Sequence, residues 1–353
     1  GGTATVDLGT AGNVTNISAV QVVGNRVVNR VDVRSTESAT NVTREEIARM
    51  PVEQALSSVA MLAPGVSASN ATFGGLVFGG SSVAENVYYV NGLNLTDFRK
   101  GLGAVTVPFE FYDTVEIKNG GYQAEFGRST GGVINAVTKS GSNEFHAGAV
   151  VSYEPNELRD DSPNTYVQDN DGDYRERVDA NFYLSGPLIK DRVFFYALYN
   201  ARSFKIGDGG ELSEQYTTQE NNSPFYGLKL DAVIADGHRL EGTYFDTTGK
   251  TVQTFNEYDP DTNEIGAYNG KTFGGSGGQN YVGRYTGSFT DWLTLSAAYG
   301  KNENRNTILS SRPDYPYVLD SRGETSIPLA NLTNGQEESY DTREFYRADA
   351  DLY

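Results

Sequence analysis

From residue 143 onward, apolar and polar positions alternate with the two-residue period of a β-strand that faces two different environments. The first such run sets Phe145, Ala147, Ala149, Val151 and Tyr153 against His146, Gly148, Val150 and Ser152. Seven more follow, at 178–185, 192–202, 226–234, 239–244, 281–289, 293–299 and 346–352. The connections segregate by length. Short turns near 186–191, 235–237 and 290–292 interleave with polar stretches near 155–175, 205–222, 249–278 and 307–340 that read as long loops. Hairpins of a soluble sandwich have no reason to differ by end. A membrane-spanning β-barrel does: its turns are short on one side and its loops long on the other, and its strands alternate apolar-out and polar-in. Aromatic residues near strand ends (Tyr153, Phe204, Phe225, Phe245, Phe289, Trp292) are expected in the girdles at the membrane edges.

The first 140 residues read differently. Residues 1–8 alternate as a half-buried strand, and Ala19–Val23 form a second extended piece. Thr43-Arg44-Glu45-Glu46 fits a capping box, in which the Thr hydroxyl and the Glu carboxylate reciprocally satisfy the orphan N–H groups of a helix start. Pro51 fits the first turn of a helix carrying Ala55, Leu56 and Val59 on one face, stopped by Pro64-Gly65. Strands are predicted at 86–91, 114–119 and 132–138, with glycine at every junction.

Composition narrows the function classes. The chain has 28 Lys+Arg against 46 Asp+Glu, a formal charge of −18, which excludes the basic footprint of a general nucleic-acid binder. With no cysteine there is no disulfide, thiolate metal site or cysteine nucleophile, and only His146 and His238 are available for histidine chemistry. No catalytic constellation is found, so an enzyme is not expected, nor is a cofactor. Apolar content is 38%, and no run reaches the roughly 18 apolar residues of a membrane-spanning helix.

Eight strands enclose a space only about wide enough for their own side chains or one small ligand. Residues 19–140, compact at a radius of gyration of roughly 13–14 Å, cannot enter it. Either the globule hangs outside a small barrel, or the barrel is larger; the order of globule followed by strands suits a plugged barrel of about 22 strands, of which eight are present. Both ends of the chain are expected to be cut.

Residues 115–141, Val115-Glu116-Ile117-Lys118-Asn119-Gly120-Gly121 through Gly131-Gly132-Val133-Ile134-Asn135-Ala136-Val137-Thr138-Lys139-Ser140-Gly141, resemble the end of the plug domain of TonB-dependent receptors. Ser142-Asn143-Glu144-Phe145-His146-Ala147-Gly148 resembles the junction between plug and first strand in the Oar-like branch. Gly79-Gly80-Ser81-Ser82 and Tyr88-Tyr89-Val90-Asn91-Gly92 resemble the central glycine motif and the V-(D/N)-G strand-turn of the plug, with Asn91 where many members carry Asp. The resemblance implies a mainly β fold: a mixed α/β plug followed by antiparallel transmembrane barrel strands. The domains would be a remnant of an upstream regulatory-like β-domain at 1–15, a TonB-box region or linker at 16–30, a plug at 31–141, and the N-terminal part of the barrel at 142–353.

It also implies an outer-membrane active transporter or receptor of a Gram-negative bacterium, with long loops extracellular and N-terminus periplasmic. Its partners would be a TonB-type energy-coupling protein, outer-membrane lipid or lipopolysaccharide, and an extracellular ligand of unknown identity. The alternative is an Oar-like surface protein for adhesion, assembly or protein export. Ala19, Val20, Gln21, Val22 and Val23 occupy the place of the TonB box and are extended and β-branched enough to add as a strand to a partner's sheet edge. The alternative reading is a plug edge strand. Phe73, Leu76, Phe78, Asn94, Arg99 and Lys100 are candidates for a ligand-facing plug apex, with plug-core packing as the competing reading. Asp169, Asp171 and Asp173 invite a calcium site, but the EF-hand spacing fails at Tyr174, and no metal is expected. Both histidines are read as structural.

Overall fold

The computed structural model describes residues 38–43, 46, 56–69, 75–97, 99, 101, 103, 106–122, 126–127, 129–160, 163–164, 169–211, 213–320, 327–330 and 337–352. The expected strands at 1–8 and 19–23 lie outside these residues. The N-terminal part contains β1 (Ser38–Thr43), a helix α1 (Leu56–Ala60), β2 (Val66–Ala68), β3 (Leu76–Phe78), β4 (Val87–Val90), β5 (Leu93–Asn94), β6 (Tyr112–Gly120) and β7 (Val133–Thr138). Five of these strands form one sheet in the order β1-β6-β7-β4-β5, and β2 pairs with β3 apart from it. The predicted capping box is present: the Thr43 N–H donates to Glu46 Oε2 at 3.0 Å, and the Glu46 N–H to Thr43 Oγ1 at 3.4 Å. A second box, Ser82 with Glu85, opens the short turn of helix at Val83–Glu85.

This globule is built around Val59, Phe78, Val90, Tyr112, Val115 and Ile134, all buried. Gly132 is required there, because a Cβ at that position would overlap the Phe78 ring.

The remaining strands are β8 (His146–Glu154), β9 (Asp169–Ile189), β10 (Val193–Gly210), β11 (Gln215–Asn221), β12 (Phe225–Ala235), β13 (His238–Asp246), β14 (Gly249–Asp259), β15 (Glu264–Gly277), β16 (Gln279–Thr290), β17 (Leu293–Ser310), β18 (Tyr317–Asp320), β19 (Ile327–Ala330) and β20 (Glu337–Leu352). β18 and β19 pair with each other, and the other eleven form one antiparallel sheet. Those eleven are eight strand lines. β11 runs into β12, β13 into β14 and β15 into β16, and the register crosses each break without slipping. Phe204 opposes Asn221 while Asn200 opposes Phe225, and Tyr226 opposes Asp246 while Asn221 opposes Thr251.

The breaks have a local cause. The Ser223 N–H donates to Asn221 Oδ1 at 3.1 Å and the Thr248 N–H to Asp246 Oδ1 at 2.8 Å, so short polar side chains take donors that the ladder would otherwise use. Pro224 has no donor to offer.

The eight lines confirm the eight alternating segments, but they correct two of the four expected long loops. Residues 205–222 and 249–278 are mostly strand, closed by tight ends at 211–214 and 260–263. β10 has 18 residues and β9 has 21, about twice what a membrane crossing needs. Only the half toward the short turns carries an apolar outer face. Beyond it both faces meet polar surroundings, so the two-residue period that marks a membrane strand is lost in the sequence.

The outer face of the apolar half ends in rows of aromatic rings. Phe182, Tyr199 and Tyr226 follow one another at 6.4 and 5.3 Å between centroids, Tyr244 pairs with Tyr281 at 5.1 Å, and Tyr299 with Tyr346 at 5.1 Å. Near the short turns lie Phe289, Trp292 and His238, whose Nδ1 is 2.6 Å from the Tyr285 hydroxyl. Tyr153, Phe289 and Trp292 thus face outward as expected. Phe225 and Phe245 do not: both are 0% exposed and point at the plug. Phe204 shares the inner face of β10 with Leu198 and lies under the Arg175 guanidinium.

Candidate functional site

The inner face of the wall is where plug and strands meet. Phe111, fully buried at the turn before β6, inserts among Phe225, Phe245 and Tyr196 at centroid distances of 5.5, 5.9 and 6.3 Å. Gly227 on β12 admits it: a Cβ there would lie 2.6 Å from the Phe111 ring. Beside it, Lys139 pairs with Glu110 at 3.3 Å, with both side chains buried, and sits over the Tyr183 and Tyr196 rings at 5.7 and 5.5 Å. The Tyr196 hydroxyl donates to the Glu110 carbonyl at 2.8 Å. A buried ion pair of this kind costs about 3–5 kcal/mol when one partner is removed, because the other charge is left without compensation in a poorly solvated place.

Asn91 makes a second junction. Its φ of 48° lies in the left-handed region that Asn tolerates better than most residues. There its carboxamide accepts from the Thr138 N–H at 3.0 Å and donates to Thr138 Oγ1 at 2.6 Å and to Thr243 Oγ1 of β13 at 2.9 Å. Next to this bond lies a cavity of about 300 Å³ between plug and wall, with Asn135 and Val137 of β7 on one side and Lys229, Glu241, Arg284 and Arg347 on the other. Asp231, Glu241 and Arg284 are successive neighbours across β12, β13 and β16. Alternation along each strand places all three on the inner face. Their ion pairs, Arg239 to Asp231 at 2.8 Å and to Glu241 at 3.3 Å, were not visible in sequence.

Farther from the short turns the inner face is polar. An amide ladder crosses β11, β14 and β15, with Gln253 Nε2 donating to Gln219 at 3.2 Å and Thr272 Oγ1 donating to Gln253 at 3.2 Å. The plug loop after β5 reaches β20: Arg99 pairs with Glu337 at 2.7 Å and Asp341 at 3.2 Å, and Arg343 donates to the Asn94 carbonyl, to Asn94 Oδ1 and to the Thr96 carbonyl.

The six candidate apex residues therefore separate. Asn94 and Arg99 lie at the plug–wall junction. Leu76 and Phe78, 3% and 2% exposed, are corrected to plug-core residues, since an apolar side chain next to small-residue gaps packs inward. Phe73 and Lys100 lie outside the described residues, as do Ala19, Val20, Gln21, Val22 and Val23.

The segment Asp169–Asp173 forms an outsized bulge opposite Asp208. Asp169 is buried and accepts from the Tyr258 hydroxyl at 2.6 Å. Asp173 and Asp208 are both held above the ordinary carboxylate range, first by desolvation and, for Asp173, next by the charge of Asp208. Among the described residues no three His, Asp or Glu side chains converge as a metal site.

Comparison with known proteins agrees with this architecture. Residues 32–133 match the family profile described as TonB-dependent Receptor Plug Domain. The matched segment is a plug of the TonB-dependent receptor type, and wall strands follow it. It is 37% identical over 183 residues to the TonB-dependent transporter Oar of Myxococcus xanthus, covering 47% of this chain and 17% of that protein. It is also 35% identical over 96 residues to the probable TonB-dependent siderophore receptor PirA of Acinetobacter baumannii.

The outer membrane transporter YddB of Escherichia coli shares the fold at a TM-score of 0.61 and 14% identity, over 90% of this chain and 45% of that one. The solved PirA receptor does so at 0.53 and 16%, again over 90% and 45%. The chain thus spans under a fifth of Oar and under half of these solved receptors.

Proposed function

We propose that the protein is an outer-membrane active transporter whose plug is displaced by force delivered from the periplasm, letting a ligand cross. The observation that carries this reading is a plug seated on the inner face of a girdled wall through an interface that is partly polar, with Asn91 bonded to Thr243 and Arg343 to Asn94 and Thr96. Such contacts exchange for water at a net cost of about 0.5–1.5 kcal/mol each, so the interface is separable without unfolding the wall. No nucleotide pool exists at that membrane, and the force would arrive through residues 19–23 by strand addition to a TonB-type partner. The short turns would be periplasmic and the long strand extensions extracellular, with outer-membrane lipid and lipopolysaccharide around the aromatic rows. The polar inner face beyond the plug is the ligand-facing surface, with Asn94 and Arg99 at its floor.

Deleting residues 18–24 is expected to abolish uptake in whole cells while leaving ligand retention by purified outer membranes unchanged. Undiminished uptake by the deletion strain would reject the coupling role. The second reading is an Oar-like surface protein for adhesion, assembly or protein export, suggested by the resemblance of residues 142–148 to the Oar-like branch. A knockout that grows normally on every nutrient tested but loses adhesion or secretion would support it.

A further inference from the structure

Beyond the plug, four neighbouring strands sort their side chains by charge. The register of β11, β14, β15 and β17 sets Gln219, Gln253, Thr272 and Ser310 abreast on the inner face. On either side of that row the inner positions carry only amides, hydroxyls, glycine, Phe255 and Ile308, as far as Glu257 at the tip of β14. The outward positions of the same strands carry Glu220, Lys250, Lys271, Lys301, Glu303 and Arg305. In a chain that is 21% charged, the neutrality therefore belongs to one face and not to these strands as a whole. Charges resume at its borders, with Arg202 and Asp208 on β10 and the Arg99 pairs to Glu337 and Asp341 at β20.

The amides are held in place. Thr272 Oγ1 donates to Gln253, and Gln253 Nε2 donates to Gln219, both at 3.2 Å. A carboxamide offers two donors and two acceptor sites, so each glutamine in this ladder keeps capacity to spare. Groups already oriented lose less freedom when a ligand binds. An ion seated here would shed water and gain no counter-charge. A sugar hydroxyl both donates and accepts, as an amide does, and the C–H face of a sugar ring can pack on Phe255 or on Ile308, which is 42% exposed. Along the seven residues of β11 the face extends ~20 Å, and across four strands ~14 Å, room for several sugar rings.

We propose that this inner face binds an uncharged oligosaccharide. The inference rests on the ligand-facing role given to the inner face above, and adds the chemistry of the ligand.

The test measures retention by the purified full-length protein in detergent. The probes are uncharged linear glucans, mannans and galactans, with oligouronates, ferric citrate and capped oligoalanine as comparators. At least one uncharged glycan should be retained, equally at low and high salt, because neutral contacts are not screened. Gln219→Ala/Gln253→Ala should weaken that retention roughly tenfold, the loss of about two hydrogen bonds. Lys250→Gln/Lys271→Gln, on the outer face, should leave it unchanged. Retention of the charged probes or the peptide alone, of no glycan, or of a glycan undiminished in the glutamine variant overturns the proposal. The comparison among probes is made on the wild type, so it stands even where a variant fails to assemble. Retained glycan without uptake by whole cells would reject the transporter reading and keep this one. Uptake of ferric citrate with no glycan retained would do the reverse.

Discussion

Single side chains decide how firmly the plug sits. Phe111 is buried by three aromatic rings from the wall and closes against a glycine, so Phe111→Ala leaves a cavity that no neighbour can refill. The expected loss is about 3–5 kcal/mol of plug docking, read as a lower urea midpoint for plug release by tryptophan-independent hydrogen exchange of residues 109–117. Thr243→Ala removes only the bond donated by Asn91 and should cost about 1 kcal/mol in the same measurement. Equal effects of the two substitutions would contradict the difference between the two contacts.

At Asp173 and Asp208 the sign of the pH dependence follows from desolvation. Both carboxyls have folded values raised above their unfolded ones, so their contribution is present in full below about pH 4 and is lost as pH rises through the raised values. Hydrogen exchange in residues 169–174 and 206–210 should therefore slow as pH falls toward 4, after correction for intrinsic rates. In Asp208→Asn the slowing should shrink.

Strands carry two kinds of environment along one line. The halves of β10 and β17 near the short turns face apolar surroundings outside, while their far halves continue as ladder alone. The paired aromatic rows mark the boundary, and each cross-strand ring pair adds about 0.5–1.5 kcal/mol beyond its buried area. Tyr199→Ala and Tyr226→Ala, whose rings lie 5.3 Å apart, should be non-additive by about that amount in detergent unfolding. Additive losses would show that the rings do not couple. Amides of β11, β14 and β15 should also exchange faster than those of β12, β13 and β16, because the far strands lack the apolar half of the wall's support.

This division explains what could be read from the chain in advance. The eight alternating segments are legible because a wall that is apolar on its outer face and polar or plug-facing on its inner face carries a period of two. The far strands read as loops in sequence because Gln215–Asn221 and Gly249–Asp259 are polar on both faces, and no alternation survives. Phe225 and Phe245 were assigned outward by their aromatic character, yet their odd positions follow Lys229 and Thr243 inward. There the parity of the strand outranks residue type.

For the whole molecule, a plug similar to that of TonB-dependent receptors is followed by an antiparallel wall. If the wall is lipid-facing, the protein should sediment with outer membranes and require detergent for release. Recovery in the aqueous fraction would reject that placement. The capping box at Thr43 and Glu46, the strands β4, β6 and β7, and the periodicity of the wall were all determined by local sequence, since each depends on neighbours within a few residues or on a fixed two-residue period. Which rings meet Phe111, which bond Asn91 makes to Thr243, and which charges line the cavity were decided only when residues far apart in the chain were brought together. Sequence spacing carries no record of such distances, because long-range contacts depend on register between strands and on how the plug is seated against them.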